Sequence, residues 1–180
     1  FSDICDAVRF AVDQGAKVIS MSLGAEIPKN QIPQLMTETA QYALQKGVAL
    51  VCAAGNDNND NDGDVRNYPS SLELPNVIGV LATNTGARTK SSFSNFGPGH
   101  VHIAAPGTDV LNLWPDGSYR YLSGTSMATP QVSAALAIYW NDLGAGLTVQ
   151  QRVEKFLATY SVNLPALNNY CKDGRFLQMK

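Results

Sequence analysis

The stretch Leu122–Val132, LSGTSMATPQV, decides how this chain is read. Ser126 stands behind Gly124 and Thr125 and ahead of an apolar run, Met127–Trp140. Pro130 falls in what reads as the first turn of that run. A missing N–H does no harm there, because first-turn amides have no intrahelical acceptor. Ser126 is therefore predicted to open a buried helix, with unpaired amides and the positive end of the helix dipole beside its hydroxyl. That position suits a nucleophile whose attack creates an oxyanion. It equally suits a Ser/Thr cap on a core helix, which is a common device.

Upstream, the chain alternates helix and strand. Ile4, Val8, Ala11 and Val12 share one helical face, and Gly15 stops the helix. Lys17–Ser22 reads as a buried strand. Ile32, Leu35, Met36, Thr39, Ala40, Ala43 and Leu44 form a second amphipathic helix closed by Gly47, and Val48–Ala53 is the next strand. Strand, helix, strand at these lengths predicts a βαβ unit with parallel strands and a right-handed crossover. Ligand sites in such sheets lie beyond the carboxyl ends of the strands, and Ser22-Leu23-Gly24 and Gly55-Asn56 sit at two such ends. Val77–Ala82 is a third strand, and Pro115-Asp116-Gly117 joins a hairpin of 109–114 with 118–122. A long helix is expected from Ser126 to about Asn141. Thr148 and Gln151 make a capping box for a last helix ending near Thr159. Residues 163–180 show little periodicity.

Taken together, Gly124-Thr125-Ser126-Met127-Ala128-Thr129-Pro130 resembles the nucleophile motif of the subtilisin-like serine proteases, the subtilases. Ser22-Leu23-Gly24 resembles their substrate-binding strand, and Ala53-Ala54-Gly55-Asn56 their specificity-pocket wall and oxyanion asparagine. Ser92-Phe93-Ser94-Asn95-Phe96-Gly97 and Ala104-Ala105-Pro106-Gly107 resemble the segments that lead to the serine. Gln131 stands where the family usually has histidine, a position that is not the catalytic base. The resemblance implies a three-layer α/β fold with a mostly parallel sheet. It also implies a serine endopeptidase acting through an acyl-enzyme on Ser126, with the Asn56 amide as second oxyanion donor and a polypeptide as substrate. No cofactor is required for that chemistry, and a secreted or extracellular location is expected.

Subtilases carry their triad in the order Asp, His, Ser. The aspartate lies in an Asp-Ser/Thr-Gly segment and the histidine in a His-Gly-Thr segment, both upstream of the Ser-Leu-Gly strand. Neither segment occurs in this chain. The chain begins at Phe1 and opens on a helix, which in a doubly wound sheet should follow a strand. The expectation is therefore a carboxyl-terminal part of a subtilase catalytic domain, residues 1–180, with a core to about residue 160 and a tail over 161–180. Its amino-terminal portion, carrying the catalytic Asp and His, would be missing and would be the chain's natural partner. The strand Lys17–Ser22 would then show an open edge.

The remaining features narrow the function. A hydrophobic content of 44% with 16% charged residues describes a globular chain, and a net charge of -2 gives no reason to expect nucleic acid or an anionic membrane as partner. The three cysteines, Cys5, Cys52 and Cys171, lack metal spacing; a Cys5–Cys171 bridge is open, and Cys52 reads as inert packing. Asp57-Asn58-Asn59-Asp60-Asn61-Asp62-Gly63-Asp64 is rich in oxygen ligands, which leaves room for a structural calcium. An EF-hand register would put Pro69 at its last ligand position, so a solvated loop is the better reading. His100 and His102 alternate with Val101 and Ile103, a pattern expected to turn both histidines to solvent rather than to Ser126. An α/β-hydrolase elbow is excluded because no histidine follows Ser126. The alternative to a peptidase is a degenerate, non-catalytic homologue that binds peptides or acts as a scaffold.

Overall fold

The computed structural model describes residues 1–179, and its elements follow the chain as helix α1 (Ser2–Asp13), strand β1 (Val18–Met21), β2 (Ala25–Pro28), α2 (Gln34–Gln45), β3 (Ala49–Ala53), β4 (Val65–Tyr68), β5 (Val77–Thr83), β6 (Ile103–Pro106), β7 (Val110–Leu113), β8 (Tyr119–Leu122), α3 (Thr125–Ile138), α4 (Val149–Thr159), β9 (Ser161–Asn163) and β10 (Arg175–Leu177). The main sheet has six strands in the order β1-β3-β5-β6-β10-β9. All neighbours in it are parallel except β9 and β10. Two small antiparallel pairs, β2-β4 and β7-β8, stand outside it.

β3 and β5 are buried along their whole length, because helices cover both faces of the sheet. Their side chains alternate between the two layers. Leu50 and Cys52 meet Val8, Val12, Met36, Ala40 and Ala43 of α1 and α2. Ala49 and Val51, with Ile78 and Val80, meet Ala128, Val132, Leu136, Val153 and Phe156 of α3 and α4. Each fully buried Val, Leu, Ile or Phe contributes about 1.5–3 kcal/mol, so these two layers hold the strand ends in place. The expected three-layer fold with a mostly parallel sheet is thus present. Thr148 caps α4 as predicted, its hydroxyl accepting from the Gln151 amide at 3.2 Å and its own amide donating to the Gln151 side chain at 2.9 Å.

Two expectations about the ends of the fold need correction. The amino-terminal portion of the fold was expected to be missing, but residues 2–28 form α1, β1 and β2. The buried face of α1, Cys5, Val8 and Val12, packs with α2 over the sheet, and β1 takes the sheet edge among the described residues. Nor is 161–180 a tail outside the core. β10 pairs with β6 through Phe176 opposite Ala104, and β9 pairs with β10. Leu167, Cys171 and Phe176 share a buried cluster with Leu81, Val101 and Ala104. Strands of three residues are too short to show a period, which is why the sequence hid them. Lys180 lies outside the described residues.

All three cysteines are free and buried, so no Cys5–Cys171 bridge forms. Burial alone pushes the Cys52 thiol far above its usual range, and burial, with Asp173 adding to it and Arg175 opposing it, pushes the Cys171 thiol up to about 12, consistent with inert packing. Among the described residues no helix is long and apolar enough to cross a membrane.

Candidate active site

α3 runs across the sheet against β1, β3, β5 and β6, so its amino end arrives at the carboxyl ends of β1 and β3. Ser22 follows β1, Gly55 and Asn56 follow β3, and Ser126 is the second residue of α3. Ser126 and Ser22 bond to each other's backbone. Ser126 Oγ donates to the Ser22 carbonyl at 3.3 Å, and Ser22 Oγ donates to the Ser126 carbonyl at 2.9 Å. Pro130 explains the second bond. It lies inside α3, beyond the first turn expected for it, and its missing N–H leaves the carbonyl four residues earlier, that of Ser126, without a helical donor. The Ser22 hydroxyl fills that vacancy.

Asn56 Oδ1 accepts from the Thr125 amide at 2.9 Å and from the Thr125 hydroxyl at 3.0 Å. This fixes the carboxamide with its NH2 group turned away from Thr125. A Cβ built on Gly124 would stand 3.6 Å from Ser126 N and 3.8 Å from Asn56 Nδ2. The position beside Gly124 is thus flanked by two nitrogen donors, with the Met127 sulfur at 3.7 Å. The Ser126 N–H has no acceptor among the described residues, as befits a first-turn amide. Gln131, at the variant position of the motif, ties the helix down by donating to the Pro106 carbonyl at 2.7 Å and to the Met127 carbonyl at 3.0 Å.

Ser126 and Asn56 line one cleft of about 360 Å³, together with Leu23, Gly24, Ala53 and Gly55. Gly24 and Gly55 allow the walls to approach: a Cβ at 24 would fall 2.5 Å from Asn67 Nδ2, and one at 55 would fall 2.3 Å from Asn95 Nδ2. Gly55 also has a φ of 108°, which favours glycine. Of the residues predicted for the wall, Ala54 is not in the cleft. The strand's alternation sends it into the buried cluster of Leu81, Val101 and Ala104. Ser22 meets the site through Ser126 rather than through the cleft wall.

Sequence reasoning missed several cleft residues. Glu26 and Asp57 line the cleft, each a short step along the chain from a quoted motif. Asn67 lines it from β4, far away in sequence, where no local signal marked it. Asn95 is buried behind the wall. Its Oδ1 accepts from the amides of Asp57 at 2.8 Å and Asn59 at 3.0 Å, so it holds the loop that leaves Asn56.

The histidines lie elsewhere, as expected, but neither simply faces solvent. His102 directly precedes β6, on the amino-end side of the strand ends that carry Asn56, and its Nδ1 accepts from the Gly79 amide at 2.9 Å. Burial, with Lys172, His100 and Arg175 adding like charge, lowers its pKa to about 4. His100 contacts Asp62 at 2.7 Å through Nδ1, and Arg66 and Glu73 through Nε2. The Asp/Asn-rich loop is largely exposed, as expected, and some of its carboxylates also have partners in the chain. Asp62 Oδ2 accepts from the Gly99 amide, Asp60 Oδ1 accepts from the Asp62 amide, and Asp64 pairs with Lys29. Among the described residues no group of three or more His, Cys, Asp or Glu side chains gathers to hold a metal ion.

A serine at a helix start, an asparagine at a strand end and glycine-lined walls are shared with a class of proteins that comparison with known proteins names. Residues 1–171 match the model of the Subtilase family, and the chain belongs to that family. It is 36% identical over 154 residues to the "Thermophilic serine proteinase" of Bacillus sp. (strain AK1), covering 86% of this chain and 35% of that protein. To "Thermitase" of Thermoactinomyces vulgaris it is 39% identical over 135 residues, 75% of this chain and 44% of that protein. A crystal structure of a cold adapted subtilisin-like serine proteinase aligns with a TM-score of 0.82 and 29% identity over 98% of this chain and 60% of that one. The chain therefore spans less than half the length of these curated relatives. Serine protease is the family's activity, and subtilases need no cofactor for their chemistry.

The family match begins at residue 1 and the structural match takes in α1 and β1. Both overturn the reading of a carboxyl-terminal part that lacks its amino-terminal portion. With it falls the assignment of the catalytic Asp and His to a missing upstream segment, and of that segment as the chain's partner.

Proposed function

We propose that this chain carries the nucleophile and the oxyanion donors of a serine peptidase acting on polypeptides, with Ser126 attacking the scissile carbonyl and the Ser126 N–H and Asn56 Nδ2 receiving the developing charge. The observation that carries this reading is the placement of both donors beside Gly124. An extended substrate would lie between Ser22-Leu23-Gly24 and Ala53-Gly55, held by main-chain bonds to a strand edge. A secreted or extracellular location goes with the family. The proton of Ser126 must pass to a base that neither His100 nor His102 supplies, since both are engaged elsewhere.

A second reading, a peptide-binding homologue without turnover, has one observation in its favour: the Ser126 hydroxyl donates to the Ser22 carbonyl instead of to a histidine. Reaction with a fluorophosphonate, mapped by mass spectrometry, separates the two. The peptidase reading expects modification at Ser126 that disappears in Ser126→Ala. Binding of peptides with no modification of Ser126 supports the homologue.

A further inference from the structure

Glu26, Asp57 and Asn67 also line the cleft, and none of them is explained by the chemistry at Ser126. No Lys, Arg or His lines the cleft among the described residues. Asp57 forms no ion pair or side-chain hydrogen bond through its carboxylate among the described residues. Glu26 accepts only one hydrogen bond, from Asn95 Nδ2 at 3.3 Å. Asn67 is 4% exposed, and both protons of its NH2 group are engaged, one with the Ala53 carbonyl at 2.8 Å and one with Ser70 Oγ at 3.1 Å. The carbonyl partner is acceptor-only, so it fixes which way the carboxamide points. Asn67 Oδ1 is thus left without a donor among the described residues, against Gly24 in the cleft wall.

Two carboxylates and a buried amide oxygen form a set of acceptors with no cation to meet them. We infer that this pocket takes the cationic side chain of a lysine or arginine in the substrate, next to the bond presented to Ser126. The inference rests on the proposed peptidase reading for what the cleft holds, and adds which side chain it selects. Small residues at 53 and 55 would by themselves admit an apolar side chain. An apolar group would strip water from the Asp57 carboxylate, from Asn67 Oδ1 and from the rest of the Glu26 carboxylate without replacing its bonds, which costs binding, whereas an ammonium or guanidinium satisfies them with charge-assisted bonds. Exposed carboxylates are screened by water, but a side chain seated in the cleft displaces that water and sharpens the discrimination.

The test compares benzamidinium chloride with neutral benzamide, which share ring and shape, by amide chemical-shift titration of the chain at low salt. The expected result is binding of benzamidinium with shifts at Gly24, Gly55 and Asp57, and binding of benzamide weaker by about ten- to a hundredfold. In a variant carrying Glu26→Gln and Asp57→Asn the two ligands should differ by less than about threefold. Equal or tighter binding of benzamide to the unmodified chain overturns the inference, without any need for the variant to fold. So do benzamidinium shifts confined to another face. The fluorophosphonate reaction at Ser126 is scored separately. Cation preference with an unreactive Ser126 supports the pocket and sinks the peptidase reading, while a reactive Ser126 with no cation preference does the reverse.

Discussion

Ser22 and Ser126 hold each other at the head of α3, each hydroxyl donating to the other's carbonyl, at 2.9 Å from Ser22 and 3.3 Å from Ser126. The pair joins the carboxyl end of β1 to the start of the helix, and Pro130 makes it possible by freeing the Ser126 carbonyl. Ser22→Ala should lower stability by about 1 kcal/mol. In a Pro130→Ala background the helix regains the amide that the Ser126 carbonyl lacks. The cost of Ser22→Ala should then shrink by about 0.5 kcal/mol or more, a coupling that urea denaturation of the four proteins measures. Strictly additive losses would refute the link.

Asn56 has two duties, and two substitutions separate them. Its Oδ1 supports Thr125, while its Nδ2 is the proposed oxyanion donor. Asn56→Ala removes both and should cost stability as well as reactivity. Asn56→Asp keeps an acceptor for the Thr125 amide and removes the donor. It is expected to hold stability within about 1 kcal/mol. Fluorophosphonate reaction should still slow by about a hundred- to a thousandfold, the range known for loss of the corresponding donor in subtilisin. An unchanged rate in the Asp variant would end the oxyanion assignment.

His102 makes stability depend on pH. Burial holds its pKa near 4 in the folded chain, below the ordinary 6.5. Above 6.5 the ring is neutral folded and unfolded, and its contribution is complete. As pH falls from 6.5 to about 4 the unfolded chain takes up a proton that the folded chain refuses, so stability drops, by up to about 3 kcal/mol. His102→Gln retains an acceptor for the Gly79 amide and should flatten this part of the profile, read from denaturation midpoints at pH 4.5 and 7. A profile with the same slope in the variant would assign the loss to other groups.

Gly24 is set by steric contact. An added methyl would lie 2.5 Å and 2.8 Å from the Asn67 carboxamide and 3.0 Å from the Tyr68 carbonyl. Gly24→Ala is expected to destabilise by about 1–3 kcal/mol and to weaken ligand binding in the cleft, since Asn67 must leave its place to admit it. Differential scanning calorimetry together with the benzamidinium titration checks both. No change in either would show that the wall is looser than described.

Much of the site could be read in the sequence because its chemistry is local. Ser126 at a helix start and Asn56 after a strand are marked by their own neighbours, and the Thr148–Gln151 capping box spans a single turn. What was hidden depends on distance along the chain. β2 and β4 pair Ala25 with Tyr68 across the Asp/Asn-rich loop, and neither strand alternates cleanly. Asn67 and Asn95 owe their roles to carbonyls and amides that only folding brings near. Ala54 was grouped with the wall because it sits in the motif, but strand alternation turns it away. The opening helix was taken as a sign of an earlier strand, whereas its placement in the structure comes from packing on α2, a contact far along the chain.

The sheet order also dictates a timetable for synthesis. β1, β3, β5 and β6 are laid side by side in the order in which they leave the ribosome, each new strand closing the side its predecessor left bare. The series stops at Ile103–Pro106, whose far side is met, among the described residues, by Phe176 of β10. Every residue between them must be made while that strand waits with unpaired amides and carbonyls, a template for the wrong neighbour. Pairing of β10 is therefore a committing step for the nascent sheet, and a polypeptide released before residues 175–177 would carry the start of α3 beside an unfinished sheet.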